Sequence, residues 1–145
     1  MRDAQNAFHL AVPVRDLDEA QDFYVRQLGC HLARRYDDRI TVNFFGDQLV
    51  CHLSADTHAR DGGGATDRDS DGELQLYPRH FGITFRHRDD FEAVLYLAVQ
   101  RDLPFFQSVQ PRFKNAVEEH LTFVLRDPSD NLIEFKHYRD PRMMH

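Results

Sequence analysis

Residues 8 to 14, FHLAVPV, alternate: Phe8, Leu10, Val12 and Val14 fall on one side, and His9, Ala11 and Pro13 on the other. A period of two predicts a strand with one face on a core. From Asp16 the period lengthens. Asp16 is positioned as an N-cap, Asp18 and Glu19 place negative charge in a first turn, and Leu17, Ala20, Tyr24 and Leu28 recur near helical spacing until Gly29 ends the run. Three short strand candidates follow, at 30–36, 40–45 and 48–54.

The series then returns. Laying His9 over His80 aligns HLAVPVRDLDEAQDFYVRQL with HFGITFRHRDDFEAVLYLAV. Residues 80–85 pattern as a strand, and Phe91, Val94, Leu95, Ala98 and Val99 as the buried face of a helix. Residues 105–110, 120–126 and 132–138 pattern as strands, the last two joined by the turn DPSDN at 127–131. The chain is thus a doubled strand-helix-strand-strand-strand unit. A first module over about 6–54 and a second over about 79–140 form one domain. The stretch 55–78, rich in Asp and Gly, reads as a mobile solvated linker. Asp67, Asp69, Asp71 and Gly72 imitate the start of a calcium loop, but the twelfth position is Pro78 and no helices flank it.

Size and charge narrow the class. The 145 residues carry a net charge of −6 with 41% hydrophobic content, which suits one globular domain and argues against a nucleic-acid partner. No apolar run approaches the ~18 residues of a membrane span, and the start lacks a signal-peptide pattern, so a cytoplasmic protein is expected. Cys30 and Cys51 form no metal or redox motif and read as small buried hydrophobes.

Nine histidines are the unusual feature. Sorting each strand by parity puts His9 and His80 on the less apolar face of the first strand of each half. His52 and Glu134 take that face on the last strand of each half. A lone strand histidine is commonly a hydrogen-bonded structural residue. The repeated placement points instead to ligands: if the two sheets curl toward one another, all four side chains converge on one cation. Imidazole with carboxylate suits a divalent ion, Fe, Zn, Ni or Mn, and four ligands leave two adjacent positions for neighbouring oxygens of an anionic or enolisable substrate. His120 shares a face with Thr122 and Val124 as a proton carrier or substrate contact. Thr41 and Asn43 face the same cavity, and Arg112 and Lys114 stand where a rim could meet an acidic group. His31, His58, His87, His137 and His145 fall outside the convergence.

These residues resemble the vicinal oxygen chelate superfamily of glyoxalase I, extradiol dioxygenases, methylmalonyl-CoA epimerase and the fosfomycin- and bleomycin-resistance proteins. The resemblance runs from FHLAVPVRDLDEAQDFYVRQLG through HFGITF to FVLRDPSDNLIEFKHY. It implies an α+β fold of two βαβββ modules in curled mixed sheets around a central cavity, and commonly a homodimer. It implies His9, His80 and Glu134 as the ligand triad, with His52 where glyoxalases and epimerases place Glu or Gln, and Asp130 where the closing turn usually has Gly. The expected activity is that of a divalent-metal enzyme chelating a small substrate through two neighbouring oxygens. The reaction is either isomerase or lyase work with Glu134 as base, or ring cleavage by a dioxygenase with His120 relaying protons. The alternative is a metal-free sequestering protein, as bleomycin-resistance relatives are.

Overall fold

The computed structural model describes residues 6–54 and 66–145. In the first module β1 (His9–Val14) runs parallel to β4 (Asp47–Leu53). Antiparallel β3 (Arg39–Phe44) and β2 (His31–Arg35) complete a sheet of order β1-β4-β3-β2. The second module repeats it with β7 (Phe81–Thr84), β10 (Leu132–Tyr138), β9 (His120–Arg126) and β8 (Phe105–Arg112), in the order β7-β10-β9-β8. The fold is α+β, with two like modules of mixed sheet.

Local chemistry explains the helices. α1 (Leu17–Gln21) starts where the Asp16 side chain accepts a bond from the Glu19 N–H at 2.9 Å. It widens into a π-helical segment (Asp22–Gln27) and stops at Gly29, whose φ of +86° favours glycine. α2 (Arg88–Gln100) buries Phe91 and Ala98 completely, but Val99 is 57% exposed. The buried stripe is therefore narrower than the apolar pattern predicts. It is centred on the i, i+7 pair, and Val99 is rotated out of it.

One core serves both modules. Residues of both sheets and both helices join a single buried cluster, and Phe44 meets Phe81 at 5.9 Å while Phe45 meets Phe85 at 5.4 Å. Both cysteines lie buried in it, and burial pushes the Cys30 thiol up to about 12.

Polar groups clasp the modules beside that core. The Tyr24 hydroxyl donates to the buried Asp127 carboxylate at 2.8 Å, and Asn131 Nδ2 donates both to Asp127 and to the Pro13 carbonyl. The Arg15 N–H donates to Ser129 Oγ at 3.0 Å. Asp130 takes a left-handed φ of +64° in the closing turn, a conformation its short polar side chain tolerates. Arg101 donates to the carbonyls of Arg26 and Gln27, which end the π-helical segment.

Part of the expected linker has structure. β5 (Asp67–Arg68) and β6 (Leu74–Gln75) form a hairpin whose Leu74, with Leu76 beyond it, packs on Val124 and Leu132. Asp69 Oδ1 accepts from the N–H groups of Asp71 and Glu73, so this aspartate shapes a turn. Residues 55–65, with His58, lie outside the described residues. Among the described residues no helix is long and apolar enough to cross a membrane.

The clasp yields a signed expectation. Burial raises the Asp127 carboxyl above its usual range, while its hydrogen bonds, Tyr24's among them, pull it down. A raised folded-state value means that ionisation costs the folded state. That cost is absent below the unfolded value and grows as pH rises through the folded one. Tyr24→Phe removes a donor, so it should cost about 1–3 kcal/mol near neutral pH. Urea unfolding at pH 7 and at pH 4.5 checks this: the deficit should be larger at pH 7.

Candidate functional site

Two small constellations stand on the faces of the sheets that point away from the shared core. In the second module His80, just ahead of β7, places Nε2 at 3.0 Å from Glu134 Oε2 on β10. Its Nδ1 donates to the Leu76 carbonyl at 2.8 Å. Glu134 is buried. Its Oε1 accepts from Thr122 Oγ1 at 2.7 Å, and Lys136 Nζ lies 3.6 Å from Oε2. A neutral imidazole that donates through Nδ1 turns the lone pair of Nε2 toward the carboxylate. Two acceptors 3.0 Å apart call for a proton or a cation between them, and the ring is held as second-shell bonds hold metal-ligating histidines.

His9 repeats the arrangement in the first module. Its Nδ1 lies 2.5 Å from Gln48 Oε1 on β4, which leaves Nε2 of the exposed ring free. Gln48 did not stand out in the sequence, although it shares the parity of His52. The missing signal was register: His9 is paired with Gln48.

Register also relocates the fourth position. Glu134 lies beside Gly82, two residues after His80. The matching residue of the first module lies beside Ala11, two residues after His9, and that residue is Val50. His52 pairs instead with Pro13, four residues and about 13 Å along β1 from His9. His52 and Glu134 thus both lie on the last strand of their module but at different places along it, because parity selects a face and only strand pairing selects a position along it.

The four expected ligands do not converge within one chain. Among the described residues no group of three or more His, Cys, Asp or Glu could hold a metal ion. The physical reason is the shared core: the apolar faces of both sheets are buried together, so the polar faces carry two separate pairs, His9 with Gln48 and His80 with Glu134. His120 shares the polar face of β9 with Thr122, but it pairs with Tyr138 while Glu134 pairs with Val124, about 13 Å away along the strand. It is buried, bonds the Glu118 carbonyl through Nδ1, and packs against the rings of Tyr138 and Phe113. Arg112 stacks over the Phe113 ring at 5.7 Å, and Lys114 is exposed.

The model of the glyoxalase/bleomycin resistance protein/dioxygenase superfamily matches residues 7–135. The chain belongs to that superfamily. A crystal structure titled glyoxalase/bleomycin resistance protein/dioxygenase, from Alicyclobacillus acidocaldarius, is 56% identical over 100% of both chains, with a TM-score of 0.87. Lactoylglutathione lyase from Agrobacterium tumefaciens has a TM-score of 0.62 at 15% identity, covering 91% of this chain and 92% of its own. The fosfomycin resistance protein FosX from Listeria monocytogenes has 0.66 at 10%, covering 95% and 97%. The last two share the fold. No curated protein matches the chain. Superfamily membership agrees with the doubled module.

A glycine positions the acid. A Cβ on Gly82 would stand 1.7 Å from the Glu134 carbonyl oxygen, so the close approach of β7 to β10 at this point requires glycine. The counterpart Ala11 carries its Cβ without difficulty and is exposed. Gly82→Ala should therefore lower stability by about 1–3 kcal/mol and shift Glu134, whereas Ala11→Ser should stay within about 0.5 kcal/mol of the parent. Thermal unfolding of the two variants side by side checks the contrast.

Proposed function

We propose that this chain is a divalent-metal enzyme that chelates a small substrate through two neighbouring oxygens, with His9, His80 and Glu134 as ligands. A homodimer completes the site: His9 of one copy meets the His80 and Glu134 pair of another. The observation that carries the reading is the His80 pair, in which a ring locked through Nδ1 aims Nε2 at a carboxylate already held by Thr122. His9, locked the same way by Gln48 and exposed, supplies the second imidazole.

The ligand count favours one reaction class. With Val50 at the fourth position the protein donors would be two imidazoles and one carboxylate, a donor set that suits ferrous iron in oxygenases. When bound, the ion supplies Lewis acidity toward the substrate oxygens and one-electron chemistry with dioxygen. The residues do the rest. His9 and His80 orient their Nε2 atoms, and Glu134 offsets one positive charge. Thr122 and Lys136 tether Glu134, which opposes its release as the mobile base an isomerase needs.

Metal analysis of protein purified without added metal should find about one ion per chain, chiefly iron, and none in His80→Ala. His9→Ala should also lose metal. After subunit exchange, a mixture of the two variants should regain about a quarter of the parent occupancy, because half of the dimers are then mixed and each holds one intact site. No metal in the parent would leave a sequestering role, zinc protein with full activity would exclude the oxygenase, and no recovery on mixing would exclude the shared site.

A further inference from the structure

The polar face of the first sheet holds a second feature beside His9. A groove of about 500 Å³ runs from His9 across Gln48 and Val50 to Arg34, Arg39 and His52. The chain as a whole carries 24 acidic against 18 basic residues, yet among the described residues no aspartate or glutamate lines this groove. Its positive character is local and runs against the overall balance.

Backbone irregularity creates it. β2 pairs Leu32 with Val42 and then Arg34 with Thr41, so Ala33 is an extra residue and the strand is bulged. A regular strand would put Arg34 on the same face as Leu32. The bulge resets parity, so Arg34 joins Thr41 on the polar face while Arg35 turns to the helix side, where it binds Asp18 and Gln21. The Arg34 side chain makes no hydrogen bond or ion pair among the described residues. Arg39, beside His52 in register, places its guanidinium carbon over the Tyr36 ring at 4.2 Å, and among the described residues its ion pair is with the exposed neighbour Asp38. One guanidinium without a partner and one oriented by an aromatic ring thus line a groove that holds no carboxylate among the described residues.

We propose that this groove binds a carboxylate group of the substrate, held by Arg34 and Arg39. The substrate of the metal site is then an organic acid with two vicinal oxygens at one end and a carboxylate at the other: the backbones of Arg34 and Arg39 lie about 16 Å from that of His9, two to three strand spacings across the sheet and two to four residues along it, and the long arginine side chains line the same groove. Val50 lies between the two ends and offers apolar contact to the intervening carbons. Guanidinium forks suit a carboxylate because they meet both oxygens at once. The substrate identification rests on the metal reading above, but the anion site itself does not.

The probes are 3-(3,4-dihydroxyphenyl)propanoate and its primary amide, which share the catechol and differ in charge at the far end. Calorimetric titrations are run on the full chain with iron(II) under anaerobic conditions and again after chelator treatment. The acid should bind at least about tenfold more tightly than the amide, and the preference should weaken at high salt. Arg34→Ala and Arg39→Ala should each reduce the preference, and the double variant should abolish it while leaving the affinity for the amide unchanged. Arg34→Lys should keep only part of it. A preference that persists after chelator treatment, with both probes weaker, supports both readings. A preference indifferent to metal supports the groove and fails the metal site. Equal binding of acid and amide, no binding of either, or a preference that survives in the double variant overturns the carboxylate site.

Discussion

A buried carboxylate governs how the two halves sit together. Asp127 accepts from the Tyr24 hydroxyl, from the N–H groups of Ser129 and Asn131, and from Asn131 Nδ2. An ionised carboxylate away from water is tolerated only when its lone pairs are filled, so the four donors act as a unit. Three of them belong to the turn between β9 and β10, and the fourth comes from the helical segment after β1. With Asn131 also reaching the Pro13 carbonyl and Ser129 receiving Arg15, that turn is fastened to the junction of β1 and α1. The strands bearing His9 and Glu134 are thereby set at a fixed relation, with their apolar faces committed to one core.

Much of this architecture is legible in the sequence because it depends on local periodicity. Alternation in FHLAVPV, the Asp16 cap, Gly29 and the DPSDN turn each act over a few residues, and the strands lie within one or two residues of where their patterns place them. The repeat extends that local information across the chain. What was not legible depends on distant contacts. The hairpin at 67–75 looks like solvated linker because its composition is polar, and its order comes from Leu74 and Leu76 meeting Val124 and Leu132, some fifty residues away. Val99 fits a helical stripe by spacing, but the neighbouring elements cover only part of that stripe.

The candidate site shows the same division. Parity alone sorts His9, His80 and Glu134 onto polar faces, and the structure pairs His80 with Glu134. Parity cannot choose among Gln48, Val50 and His52, which all lie on one face of β4. Chemical preference selects the imidazole, and strand register puts Val50 in the matching place. A bulge is still less visible: nothing in HLARR announces that Ala33 is extra, yet that residue decides which face Arg34 occupies.

The two relocations are connected. His52 lies four residues along the strand from the His9 row, and that displacement puts it in the row of Arg39. Val50 occupies the row between, next to Thr41 and Arg34, and carries neither charge nor a ligand atom. A carboxylate at this place would have neutralised an adjacent guanidinium as readily as it served a cation, and the groove would have lost its sign. An apolar residue keeps the two functions apart. β4 thus sets Gln48 beside His9 of β1 at one end and His52 beside Arg39 of β3 at the other, with the non-polar Val50 between them, so that one face of the sheet carries two different polar environments a short step apart.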